Sequence, residues 1–171
     1  MFVIKSYIKY PHIFIRHFKD AQESYFISIN NTNEIFHIKN DLDLNYLEGA
    51  LYLAYKNQAI IDFTHYDLID QLWGYFLNMI EEFLETKKSE MSFPDQPTPL
   101  EMKNLSDYCI IFSVGFTQWT LPKYEFFNAL LSSAKDFFEK MMLLVEENND
   151  YHIYALEKIK RLQPKINALK R

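Results

Sequence analysis

Ala50-Leu51-Tyr52-Leu53-Ala54-Tyr55, the short turn Lys56-Asn57-Gln58 and Ala59-Ile60-Ile61-Asp62-Phe63 read as a hairpin, after which the chain enters a helical period. Leu51, Leu53 and Tyr55 alternate with Tyr52 and Ala54, the period of a strand. From about His65 to Glu85 the residues Leu68, Leu72, Trp73, Phe76, Ile80 and Phe83 recur every three or four positions, predicting one helix with a single apolar stripe. Thr64 opens it, with Asp67 at the capping-box spacing. About twenty residues at 1.5 Å each give a rod of roughly 30 Å, enough to cross a sheet.

The same order recurs downstream. Strands are expected over about Thr98 to Lys103 and Tyr108 to Val114, joined by the turn residues Asn104, Leu105, Ser106 and Asp107. A second long helix follows over about Leu121 to Glu146, with Thr120 as its N-cap and Pro122 in the first turn, where a missing N–H costs nothing. Its apolar face, running from Phe126 and Phe127 to Met142 and Val145, is broad enough to meet both a sheet and another helix. That neighbour is expected over Asp150 to Leu162, ending near Pro164.

Upstream, Phe2 to Tyr10 suits an edge strand or a short helix equally. Tyr25–Ile29 and Glu34–Ile38 flank Asn30, Asn31, Thr32 and Asn33, which predicts a second hairpin. Asn40 to Asn45 reads as an acidic connection, and Ser92 to Pro99, with three prolines, as extended chain. Together these elements predict an α+β fold in one domain over residues 1–171: an antiparallel sheet of about six strands, two long helices on one face and a short C-terminal helix beside them.

Composition narrows the function classes. With Gly 3 in 171 residues, a glycine-rich phosphate cradle is excluded. One cysteine, Cys109, rules out a disulfide within the chain and is expected as a small buried hydrophobe. No stretch approaches the ~18 apolar residues of a spanning helix, so the reading is a cytoplasmic protein with no membrane partner.

Charge is unevenly placed. Lys158, Lys160, Arg161, Lys165, Lys170 and Arg171 hold six of the 18 basic side chains, leaving residues 1–157 with 12 basic against 23 acidic, a net of −11. The tail is expected to face water against the negative end of a helix dipole, and it lacks the interleaved aromatics of a single-strand binder. The acidic body disfavours nucleic acid and favours a basic protein partner.

No catalytic spacing emerges. His12, His17, His37, His65 and His152 share no ligand spacing, so neither a metal site nor a cofactor is expected. Ser113 lies outside any nucleophile elbow. The carboxylates Asp62, Asp70 and Asp95 beside aromatic residues are not placed as an acid pair by their spacing; a cap or turn role is expected for Asp62 and Asp67, and a solvent or buried hydrogen-bond role for Asp70 and Asp95.

Leu47-Glu48-Gly49-Ala50-Leu51-Tyr52-Leu53 through Asp62-Phe63, Leu68-Ile69-Asp70-Gln71-Leu72-Trp73 and Phe93-Pro94-Asp95-Gln96-Pro97 together resemble small bacterial immunity proteins of polymorphic toxin and contact-dependent inhibition systems, over residues 47–100. The resemblance implies a cytoplasmic α+β protein that binds a cognate toxin domain and blocks its active site or its substrate approach. It transfers no functional residue. From the charge pattern, Asp41, Asp43, Glu48, Asp62 and Asp95 are the expected partner-binding acids, with exposed aromatics as anchors. Two other classes stay open: an enzyme or small-molecule binder in the aromatic space between sheet and helices, and an interaction module or homodimer whose spare aromatic surface is self-directed.

Overall fold

The structure, a computed structural model, describes residues 1–144 and 150–170. It contains two antiparallel sheets in place of the single sheet expected from sequence. The first holds β1 (Phe2–Lys9), β2 (Phe26–Ser28), β3 (Glu48–Tyr55), β4 (Gln58–Ile61) and β5 (Asp67–Leu68), in the order β2-β1-β3-β4 with β5 also paired to β3. The second is a meander of β6 (Lys88–Ser92), β7 (Pro99–Asn104), β8 (Cys109–Val114) and β9 (Thr117–Pro122). The helices are α1 (Thr32–Ile38), α2 (Ile69–Thr86), α3 (Lys123–Leu144) and α4 (Asp150–Asn167).

Local chemistry sets the junctions. Lys56 and Asn57, at φ 49 and 65, form the two-residue turn between β3 and β4, a geometry that matches the twist of paired strands. Gly49 is required where β3 passes β1, because a Cβ there would stand 2.2 Å from the Tyr7 carbonyl oxygen and 2.8 Å from Ile69. The helix α2 stops at Lys87, a left-handed C-cap whose N–H donates to the Phe83 carbonyl at 2.9 Å.

Several sequence expectations are corrected. The stretch Glu34–Ile38 is helix, because the Asn31 side chain caps α1 by accepting from the Glu34 N–H, and Ile35 is buried beneath it. The long helix α2 begins at Ile69 and not at His65. The box sits upstream, where Asp62 and His65 close a 3₁₀ turn over Phe63–His65, and Asp67–Leu68 pairs with Glu48–Gly49. Thr120 is no cap but lies in β9 opposite Ile111. The C-terminal helix is 18 residues long and runs through Pro164. Cys109 is only half-buried. The helix end expected near Val145 and Glu146 lies outside the described residues.

One core joins both sheets. Leu51 and Leu53 of the first and Leu100 and Phe112 of the second enclose Trp73, Phe76, Phe126 and Phe137, all buried. The helix α2 packs on β1, β3, β6 and β7, α3 packs on β1 and β9, and α4 lies on α3 and α2. A smaller cluster forms around Tyr7, Phe26 and Ala50, covered by Phe63, Tyr52 and Tyr66. Tyr7 and Phe63 meet edge to face at 4.9 Å. This cluster anchors the segment that carries the site described next. No helix among the described residues is long and apolar enough to cross a membrane.

The basic tail is partly structural, contrary to expectation. Lys158 is buried on α4, with its Nζ 2.6 Å from Glu81 Oε2 and donating to Asn78 Oδ1 at 2.6 Å. Arg161 reaches the other oxygen of Glu81 at 2.7 Å. Both cations therefore clamp α4 to α2.

Candidate functional site

Four of the five expected acids converge at one end of the molecule. Glu48 opens β3, the turn between β6 and β7 brings Asp95 up beside it, and the connection after α1 supplies Asp41 and Asp43. Two small cavities share Glu48 as a wall. One, of about 150 Å³, is bounded by Lys9, Asp41, Asp43 and Tyr46. The other, of about 60 Å³, is bounded by Phe18, Tyr66, Asp67, Leu68 and Asp95. Asp62 borders neither cavity. Its carboxylate accepts from the Thr64 N–H at 2.9 Å and contacts the His65 ring, so its role is to hold the Phe63–His65 turn. Burial opposes its ionisation, but the Thr64 hydroxyl and amide with His65 outweigh burial and hold the carboxyl below its ordinary range.

Asp67 is the buried support of this end. It accepts from the Leu68 N–H at 2.6 Å and from the Asp95 N–H at 2.9 Å, fixing the proline-rich turn to β5. Burial raises its pKa against the pull of those two amides. Gln96 donates to the Tyr66 carbonyl at 3.2 Å, a second tie between turn and strand.

The rim is aromatic. The Tyr46 hydroxyl donates to Asp95 Oδ2. That bond, then burial, pushes the phenol up to about 12, so Tyr46 stays a neutral donor at all physiological pH. The Phe18 and Tyr66 rings meet at a tilt of 44° with centroids 5.1 Å apart, and Phe18 is 44% exposed, while Tyr46 is 46% exposed. Lys9 answers part of the charge, its Nζ lying 3.1 Å from Glu48 Oε2 and donating to the Ile13 carbonyl at 2.7 Å.

Sequence reading missed Asp67, Tyr46, Phe18 and Tyr66. Standing three residues after Thr64, Asp67 matches a helix capping box, and that spacing masks its tertiary role. Nothing in the pattern around Phe18 signals that Phe18–Asp20 forms a 3₁₀ turn lying against the Phe63–His65 turn.

Chemically, this end can hold a cationic side chain between carboxylates and aromatic faces. Both cavities are far below the ~300–1,000 Å³ of small-molecule sites. Among the described residues, no three His, Cys, Asp or Glu side chains are grouped to hold a metal ion. Comparison of the chain with known protein families, with curated proteins and with solved structures yields no match.

Proposed function

We propose that this chain is an immunity-type protein that binds a cognate bacterial toxin domain one to one and blocks it, using the acidic, aromatic-rimmed end as the contact. The observation that carries the reading is the convergence of Asp41, Asp43, Glu48 and Asp95 beside the exposed rings of Phe18 and Tyr46. Toxin domains that act on nucleic acid present basic clefts. An acidic surface speeds encounter with such a cleft, and aromatic anchors supply the desolvated contact area. The resemblance over residues 47–100 points the same way.

The test is binding and inhibition with the toxin domain encoded beside this chain. Reversing Asp41, Asp43 and Asp95 to Lys is expected to weaken binding by about 10–100-fold, mostly through a slower, less salt-sensitive association. Full toxin activity in the presence of excess wild-type protein would remove the reading.

A further inference from the structure

The strands β1 and β3 pair antiparallel from Phe2 with Tyr55 to Ile8 with Gly49, so the end opposite the acidic cavities lies roughly 20 Å away along the ladder. There Phe2, Tyr55, Pro122 and Tyr124 wall an apolar groove of about 490 Å³, where the first sheet meets the end of β9 and the start of α3. Unlike the two acidic cavities, it falls within the ~300–1,000 Å³ of small-molecule sites.

Contacts beneath the groove hold its walls in place. Phe2 stacks on Tyr55 with ring centroids 4.5 Å apart and meets the buried ring of Phe126 at 5.4 Å. On α3, Asn128 is held from α4, its Oδ1 accepting from Gln163 Nε2 at 3.1 Å. Walls fixed in advance lower the ordering cost of filling the groove.

The free polar groups around it are mostly donors. Lys56 Nζ lies 5.3 Å from the centre of the Tyr55 ring and Lys170 Nζ 5.6 Å from that of Tyr124, and neither ammonium has an ion-pair partner among the described residues. The hydroxyls of Tyr55 and Tyr124 and the Nδ2 of Asn128 also lack hydrogen-bond partners among the described residues. An ammonium, and a carboxamide whose oxygen is already engaged, offer N–H groups alone. Among the lining residues only Glu125 is acidic, so the two lysines leave an excess of positive charge.

We infer that this groove binds a small aromatic carboxylate, its ring system against Phe2, Tyr55 and Tyr124 and its charge drawn to the lysine rim. Ring walls favour a flat apolar body through offset or edge contacts. Donors left without acceptors favour a carboxylate over an amine carried on the same body. The site lies apart from the acidic cavities and does not depend on the toxin reading.

The experiment is two-dimensional amide NMR of the full chain titrated with 2-naphthoate and, separately, with 2-naphthylmethylamine, which carries the same ring system and the opposite charge. The carboxylate is expected to bind at ~0.1 mM and to shift the amides of Tyr55, Tyr124, Asn128 and Ala129, and the amine to bind at least about tenfold more weakly. Ala129 lines the groove, so Ala129→Phe puts a ring into it and is expected to weaken 2-naphthoate at least about tenfold with unchanged circular dichroism. Lys56→Asn with Lys170→Gln leaves the walls and removes the cations, Asn suiting the left-handed backbone at residue 56 (φ 49), and is expected to erase the preference for the carboxylate. If Ala129→Phe fails to fold, the lysine variant decides. Unshifted amides at ~2 mM 2-naphthoate, equal binding of the amine by wild type, binding that survives Ala129→Phe, or a groove closed to 2-naphthoate by a second copy in sedimentation equilibrium would each overturn the inference.

Discussion

The indole N–H of Trp73 donates to the hydroxyl of Ser6 at 2.9 Å, joining α2 to β1 across 67 positions of sequence with both groups buried. The ring also packs against Phe76 and Phe137, so it belongs to the shared core as well as to this bond. Trp73→Ala is expected to cost ~3–5 kcal/mol through lost contact and residual cavity. Ser6→Ala leaves the indole N–H buried without a partner and is expected to cost ~1–3 kcal/mol. Urea denaturation of both variants and of the double variant checks the pairing: the double should lose less than the sum of the two. Strict additivity would mean the bond contributes nothing.

Asp67 separates charge from hydrogen bonding at the acidic end. Its carboxylate orders the turn by accepting from the Asp95 N–H, yet burial raises its pKa, so the ionised form costs stability. The raised folded value means that stability is regained as pH falls from the folded pKa toward the unfolded value of 3.8. Asp67→Asn keeps an acceptor and removes the charge; at neutral pH it is expected to match wild type or gain up to about 1 kcal/mol. Asp67→Ala strands the Asp95 N–H and is expected to cost ~1–3 kcal/mol. Thermal melts at pH 7 and pH 4 rank the three proteins, with Asp67→Asn losing the acid-side gain.

Sequence alone revealed the elements whose pattern is long and periodic. The stripe of Leu72, Trp73, Phe76, Ile80 and Phe83 is the buried face of α2, and the turn at Lys56 and Asn57 falls where expected. What it hid were elements fixed by tertiary contact. Lys88–Ser92 is mostly polar and becomes strand only by pairing with β7, and Thr117–Pro122 becomes strand by pairing with β8. With those two strands unseen, the second sheet merged into one larger sheet. Four site acids were legible as charge, but their meeting was not. Asp41 and Asp95 stand 54 positions apart, and only the packing of the 93–98 turn against β5 brings them to one end.

Glu81 and Lys158 respond unequally to removal. Lys158 is 5% exposed and depends on Glu81 and Asn78, whereas Glu81 is 28% exposed and keeps Arg161 if Lys158 is lost. Glu81→Ala leaves a buried cation with one neutral acceptor. It is expected to cost about 2–3 kcal/mol, less than a fully enclosed pair because solvent reaches Glu81. Lys158→Met fills the same space without charge and is expected within ~1 kcal/mol of wild type. Equal losses in the two variants, measured by urea denaturation, would show that the pair acts only through its mutual attraction.

His152 lies buried where α4 meets α3 and is expected to make that contact acid-sensitive. The ring is 2% exposed, lies 5.6 Å from Phe138 and 5.9 Å from Tyr151, and its Nδ1 has no hydrogen-bond partner among the described residues. Burial lowers its pKa below the ordinary 6.5. The unfolded chain therefore takes up this proton first as pH falls. The stability contribution of neutral His152 is complete above pH 6.5 and declines as pH drops toward the folded value, by up to about 1.4 kcal/mol per pH unit. His152→Leu keeps an apolar side chain at this position and removes the proton. Denaturation between pH 7.5 and pH 5 is expected to show wild type losing stability more steeply than His152→Leu, and parallel slopes would place the acid sensitivity elsewhere.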